Sequence, residues 1–294
     1  MIPVEELDAL DLLIWLGRGA DAATRLGCNQ STISRRTSHC LKVFDLRLHR
    51  DDEGWPRTRR HDLLQLERQV HQLYRLCHGQ PLRIDASLLA APLLRAGIPS
   101  GWIGGHLDEL GWQRPLQLLE DRILDAWITA MGQELPEETR QRFHCEPLLR
   151  SPLLLAGGPS HPLVGERGLK LSDVSTMPRV APRSGSYPRT EALLGNWRHR
   201  QPPLTLRSGS RSRRGEELNS EQDSPLLLQY GTGFSLAHQH TLTPLALMLG
   251  VETQLTLVIR RDVAERPQLQ LLIEILRERA LEAARADQGL ACPA

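Results

Sequence analysis

The stretch AATRLGCNQSTISRRTSHCLKVFDLRLHR, residues 22 to 50, decides how the chain reads. Gly27 supplies the left-handed residue that ends a helix, and two positions later Asn29 offers a side-chain oxygen to cap the next one. The spacing predicts a short helix from Ala22 to Leu26, with Asp21 as its cap, and another from about Gln30 to Leu41. Two short helices joined by a turn with glycine make a helix-turn-helix. Gln30, Ser31, Thr32, Ser34, Arg35 and Arg36 gather in the N-terminal half of the later helix, while Ile33 and Leu41 are expected to point inward. Amide and hydroxyl groups can bond base edges or phosphates, and guanidinium groups can take guanine or the backbone. Upstream, Leu7, Leu10, Leu13 and Ile14 recur at helical spacing, so Leu7 to Leu16 is expected to form an amphipathic helix ended by Gly17 and Gly19. These residues alone also admit a small helical bundle with a solvated polar helix.

Working outward, residues 35 to 60 hold eight basic groups against four acidic ones, a local excess of four, whereas the whole chain of 294 residues carries a formal charge of only +1. If DNA is the partner, the attraction is local. Arg50 to Arg57, with Gly54 at the tip, suits a β wing whose arginines reach the phosphate backbone, with Asp51, Asp52 and Glu53 facing away. From Arg59 to about Leu76 one helix is expected. Its Leu63, Leu66, Val70, Leu73 and Cys77 are spaced 3, 4, 3 and 4, a heptad seam. The seam either pairs two copies of the chain, so that two readers meet a two-fold symmetric DNA site, or faces the core of a monomer. Gly79 and Pro81 end the helix and mark a hinge.

With its paired alanines, its Leu, its Gln-Ser turn and its Ser-Arg pair, the run from Ala22 to Arg50 resembles the helix-turn-helix of LysR-type transcriptional regulators. It departs from them at Cys40 and Leu41 and in its acidic wing. LRIDAS (82–87), LLEDRILDAWI (118–128), EPLLRSPLLLAGGPSHPLVGERGLKLSDV (146–174) and LLLQYGTGFSLAHQH (226–240) resemble successive segments of that family's effector domain. The resemblance covers nearly the whole chain in order. It implies an α/β protein: a winged helix-turn-helix over 1–58, a dimerising helix and hinge over 59–80, and a two-lobed, periplasmic-binding-protein-like domain over 81–294. It also implies double-stranded DNA and a small-molecule effector as partners, and a homodimer or homotetramer.

Read for elements, Pro81 to Ser87 is a strand opening an α/β domain, followed by a leucine-rich helical segment through Leu94. Gly101 to Trp112 is glycine-rich but lacks the Gly-x-Gly-x-x-Gly phosphate pattern, and reads as a strand and turn. A helix end and strand are expected over 118–129, buried strands over 152–158 and 257–261, and a final helix from Pro267 to about Ala284. Arg207 to Ser224 is polar and of low complexity, and reads as a surface loop or a binding tail.

By position, the resemblance points to Ser87, Thr129, Ser184, Gly185, Ser186, Gly231, Thr232 and Gly233 as effector contacts, because turns after strands present amides to small anions. Each could equally be plain turn chemistry. His238 and His240 alternate on one strand and His144 adjoins Cys145, but no third ligand stands at a definable spacing. There is no Gly-x-Ser-x-Gly, Walker loop or His-Glu-x-x-His, so no enzyme, metal or cofactor is expected. Five scattered cysteines suggest reduced thiols. An acidic N-terminus and the want of a long uncharged apolar run argue for a cytoplasmic protein with no membrane partner. Two rival readings remain: a small-molecule binding protein of the same fold that has lost DNA recognition, and a two-domain enzyme.

Overall fold

The structure, a computed structural model, describes residues 2–51, 54–107, 111–174, 177, 179–181, 187–193, 204–205, 228–238 and 241–293. They fold as two compact units. The first comprises residues 1–85, 98–106 and 114–127, and the second 86–97, 107–113 and 128–294.

In the first unit, α1 (Val4–Leu16) buries Leu7, Leu10, Ile14, Trp15 and Leu16 and stops at Gly17, whose φ of 76° lets its N–H reach the Leu13 carbonyl. α2 (Gly19–Leu26) starts earlier than expected. Arg18 is its N-cap, and Asp21 lies in the first turn, where its charge meets the positive end of the helix. Gly19 therefore opens this helix and does not close the one before. A Cβ there would sit 3.1 Å from Gln30 Cγ, so the missing side chain is what allows the close packing.

α3 (Gln30–Val43) turns Ile33, Thr37 and Cys40 inward, and Leu41 is only half-buried. The wing is the antiparallel pair β1 (His49–Arg50) and β2 (Pro56–Arg57), with Gly54 in the turn at φ 82°. α4 (Asp62–Cys77) begins three residues later than the spacing predicts. The completely buried β3 (Leu82–Ala86) follows and pairs in parallel with β4 (Trp102–Gly104). Of the leucine-rich segment only α5 (Pro92–Arg95), which belongs to the second unit, is helical, because Pro92 sets its first turn and Gly97 follows closely. α6 (Gln113–Glu120) leads into β5 (Ala126–Thr129), all four of whose residues are buried.

The first unit is held by charge as well as by apolar packing. Arg68 of α4 ion-pairs with Asp11 of α1 at 2.8 Å, and Arg83 of β3 with Asp8 at 2.5 Å. Arg75 meets Asp125 at 2.9 Å, and the other oxygen of Asp125 accepts the Arg83 backbone N–H at 2.9 Å. Arg122 Nη1 donates to Gln72 Oε1 at 2.6 Å. α4 thus buries Arg68, His71, Gln72 and Arg75, its polar face, against its own chain.

In the second unit, after α7 (Thr139–Arg142), the long strand β6 (Phe143–Gly157) is central. β7 (Arg179–Ala181), β8 (Leu204–Thr205) and β9 (Leu228–Thr232) give the order β6-β9-β7-β8, and β10 (Thr243–Pro244) also pairs with β6. β11 (Glu252–Arg260) runs antiparallel along the other side of β6, from Glu252 opposite Pro152 to Arg260 opposite Phe143, with an irregularity between Leu255 and Thr256. The last helix, Pro267–Ala286, buries Leu269, Leu272, Ile273, Leu276 and Ala280. Its Arg279 Nη1 donates to the Leu93 and Gly97 carbonyls at 2.9 and 2.8 Å. Leu155, Val174, Leu228, Leu245 and Leu247 form one core cluster of this unit. Arg207 to Ser224 lies outside the described residues.

Candidate DNA-reading surface and strand-end residues

Helix α3 presents its two faces differently, as a groove reader must. Gln30, Ser31, Ser34 and Arg35 are exposed, Thr32 and Arg36 are half-exposed, and Ile33 (1 % exposed) and Cys40 (0 %) anchor the opposite side. Asn29 Oδ1 accepts the Thr32 N–H at 2.9 Å, which caps the helix as expected. It also accepts the Ser31 and Thr32 hydroxyls, at 2.7 and 2.9 Å, so those hydroxyls are engaged within the cap. Arg35 and Arg36 extend from the following turn. Burial pushes the Cys40 thiol up to about 12, so it stays protonated.

In the wing, Arg50 Nη1 donates to the Gly54 carbonyl. Arg57 Nε ion-pairs with Asp51 at 2.6 Å, and Asp51 also takes the Trp55 backbone N–H at 2.9 Å. One of the wing acids is thereby turned onto a wing arginine. Asp52 and Glu53 lie outside the described residues.

The heptad positions stay on the outside of α4. Leu63 is 61 % exposed, Leu66 57 % and Val70 47 %, with Tyr74 exposed beside them and Leu73 half-buried. This inverts the usual amphipathic helix, whose apolar stripe faces its own core.

The strand-end residues are buried and already bonded. Ser87 is 1 % exposed: its N–H donates to the Ile128 carbonyl at 2.8 Å and its Oγ accepts the Ala130 N–H at 3.1 Å. Thr129, also 1 % exposed, accepts the Met131 N–H at 3.1 Å. The structure brings these two together at the ends of β3 and β5. Gly231, Thr232 and Gly233 form a different cluster. Thr232 Oγ1 accepts the Ser235 N–H at 2.9 Å while Ser235 Oγ accepts the Thr232 N–H at 3.0 Å, a reciprocal cap on the helix Gly233–Ala237. A Cβ on Gly231 would come 2.5 Å from Leu236 Cγ. Ser184, Gly185 and Ser186 lie outside the described residues.

Two features escaped the sequence reading. Buried Glu134 accepts the backbone N–H groups of Arg189 and Thr190, at 2.8 and 2.6 Å, at the start of a short helix (Pro188–Leu193). The buried arginines of the first unit were missed too. In both cases the partners stand some fifty or more residues apart, so no local pattern carries the signal. Among the described residues no group of three or more His, Cys, Asp or Glu side chains could hold a metal ion, and no helix is long and apolar enough to cross a membrane. His238 Nδ1 donates to the Phe234 carbonyl at 2.9 Å, and His240 lies outside the described residues.

The profile of the LysR substrate binding domain matches residues 105–281. The fold is similar to that of full-length CbnR complexed with its target DNA, at 15 % identity over 95 % of this chain and 99 % of that one, with a TM-score of 0.54. A full-length OxyR variant from Pseudomonas aeruginosa is similar at 16 % identity, 95 % of each chain and a TM-score of 0.52. ArgP from Mycobacterium tuberculosis is similar at 15 % identity over 94 % of this chain and 96 % of that one, with a TM-score of 0.52. At such identities the likeness speaks for the fold, a mixed α/β chain that includes the N-terminal helix-turn-helix. No curated protein matches the sequence.

Proposed function

The chain belongs to the LysR substrate-binding-domain family, and from that premise we propose that it is a sequence-specific, DNA-binding transcriptional regulator whose assembly on DNA is set by a small-molecule effector. The observation that carries the reading is the exposed polar N-terminal half of α3, capped by Asn29 and backed by buried Ile33 and Cys40. Residues 1–58 are the reading head, 59–80 the dimerising segment and 81–294 the effector-binding domain. Gln30, Ser31, Thr32, Ser34, Arg35 and Arg36 face the groove, and Arg50 and Arg57 the flanking phosphates.

Leu63, Leu66, Val70 and Leu73 pair two copies, supported by the exposure of the first three. The assembly unit is a homodimer or a homotetramer. Ser87, Thr129, Ser184, Gly185, Ser186, Gly231, Thr232 and Gly233 are the effector contacts. The Ser87, Thr129 and Thr232 hydroxyls accept backbone N–H groups and keep their own O–H to donate to ligand oxygens. An effector with different affinity for two assembly states shifts their balance. The cytoplasm, where DNA is reached and thiols stay reduced, is the compartment, and the chemistry is recognition with no catalysis.

The test is a gel-shift titration of the intact chain, with and without Arg35→Ala and Arg36→Ala together, against genomic fragments that it selects. The expected result is at least a tenfold loss of affinity and a shallower salt dependence for the double variant. Equal affinity would remove α3 from the DNA.

A further inference from the structure

The first unit holds a cavity of about 330 Å³ between the wing and α6, and neither DNA reading nor the strand-end residues account for its chemistry. Arg57, Arg59, Arg60, Arg68 and Arg114 line it, facing Glu120 and Asp121. Five guanidinium groups around one small space repel each other unless each is answered by negative charge. Some are answered. Arg68 has Asp11 at 2.8 Å and Asp121 at 3.9 Å, and Asp121 also accepts from Gln65 Nε2 at 2.7 Å. Arg57 has Asp51.

The charge that a ligand can use is that of Arg59 and Arg60. Arg114 is 6 % exposed and held rigidly. Its guanidinium lies 3.8 Å from the centre of the Trp55 ring, and its Nη2 donates to the Ile14 and Trp15 carbonyls at 3.0 and 2.8 Å. Arg59 and Arg60 are exposed at the mouth, and no carboxylate of the described residues pairs with either. Arg59 and Arg60, which line the same cavity as the fixed Arg114, offer forked donors, the geometry that carboxylate and phosphate oxygens match. A volume of this size admits a small molecule and not a duplex.

We propose that this cavity is a second small-molecule site, which takes a multiply charged oxyanion, a tricarboxylate or a phosphate, and that its occupant competes with DNA by neutralising Arg59 and Arg60 beside the wing. The proposal goes beyond the strand-end effector site and does not depend on it.

The experiment is calorimetric titration of the DNA-free intact chain with citrate and, separately, with inorganic phosphate, at fixed ionic strength. It is repeated on an Arg59→Ala, Arg60→Ala double variant and on Thr129→Ala. The expected result is one-to-one binding of at least one anion, weakened tenfold or more in the double variant and unchanged in Thr129→Ala. Stronger binding of citrate identifies the carboxylate class, and stronger binding of phosphate the phosphate class; either supports the site. In a matched gel shift the tighter anion should reduce DNA affinity of the unmodified chain and leave the double variant untouched. Absence of binding by both anions overturns the proposal, as does binding that the double variant retains. So does a double variant that loses only DNA affinity, which would make Arg59 and Arg60 contacts to duplex phosphates alone. Because the titration contains no DNA, its failure leaves the regulator reading standing.

Discussion

The indole Nε1–H of Trp15, near the end of α1, donates to Asp85 Oδ2, near the end of β3, at 2.7 Å. Trp15 is 1 % exposed, so the bond is made away from water, where hydrogen bonds to charge are strong. It joins the helix that supports α3 to the first strand of the α/β segment. Gly105 is shaped for it, since a Cβ there would stand 2.2 Å from the same oxygen. Trp15→Phe keeps an aromatic ring but withdraws the donor, and is expected to cost about 1–3 kcal/mol for the carboxylate oxygen left without it. Gly105→Ala should cost at least as much by displacing Asp85. Urea unfolding of both variants checks this, and unchanged midpoints would show the bond to be dispensable.

Asp11 and Arg68 are both 2 % exposed at their side chains, and a buried pair of this kind is costly to break from one side. Asp11→Leu or Arg68→Leu alone should each lose about 3–5 kcal/mol, and the double variant much less than their sum, because it leaves no lone charge. A double-mutant cycle by denaturant unfolding reads this directly.

The same carboxyl predicts a pH dependence. Burial raises the Asp11 pKa above 3.8, against the opposing pull of Arg68 and Arg83. Between 3.8 and that raised value the native chain holds a proton that the unfolded chain has released. The Asp11 contribution is therefore fully present below 3.8 and is lost as pH rises through the folded value. Stability curves of the unmodified chain and Asp11→Asn, measured across that window, should differ in slope in this sense. A difference of the opposite sign would place the carboxyl in a charge-stabilised site.

What could be read in the sequence was local. Asn29 three residues before Thr32, Gly27 two before Asn29, and the 3-4 repeat from Leu63 to Val70 each fix a conformation by chemistry within one or two turns, and the structure returns them. Gly19 was misread because its role depends on Gln30 across the helix-turn-helix. The buried ionic set of Asp8, Asp11, Arg68, Arg75, Arg83 and Asp125 was invisible for a stronger reason. A charged residue in isolation predicts exposure, and only the tertiary pairing reverses it. The strand ends were located by resemblance, but that their hydroxyls already bond backbone amides is a property of turns that one-dimensional reading cannot resolve.

Asn29 concentrates three hydrogen bonds on one oxygen, so Asn29→Ala should act on the reading helix more than on the fold. The expected loss of stability is about 0.5–2 kcal/mol, the usual value of an N-cap. Because the first turn also carries Gln30, Ser31 and Thr32, its fraying should weaken DNA binding further. Asn29→Ser, which keeps a capping oxygen, should recover most of both. Thermal unfolding and gel-shift titration of the two variants separate this from a global effect, and an alanine variant with full DNA affinity would show that the first turn does not touch DNA.

On α4 the consequence of inverted amphipathicity is a division of labour between neighbouring leucines. Leu64 is 0 % exposed and Leu66 is 57 % exposed, so the same substitution should have opposite outcomes at the two sites. Leu64→Glu buries a charge within the first unit and is expected to prevent folding. Leu66→Glu with Val70→Glu places two like charges on the outward stripe. It should leave the unfolding midpoint of the single chain nearly unchanged while abolishing self-association, because in a paired seam those charges would face their own copies. Sedimentation velocity of the double variant reads the mass, and circular dichroism reads the fold. If the stripe pairs two chains, the variant sediments as a folded monomer and loses affinity for a two-fold symmetric site far more than for a half-site. A folded variant of unaltered mass would show that copies of the chain meet through another surface.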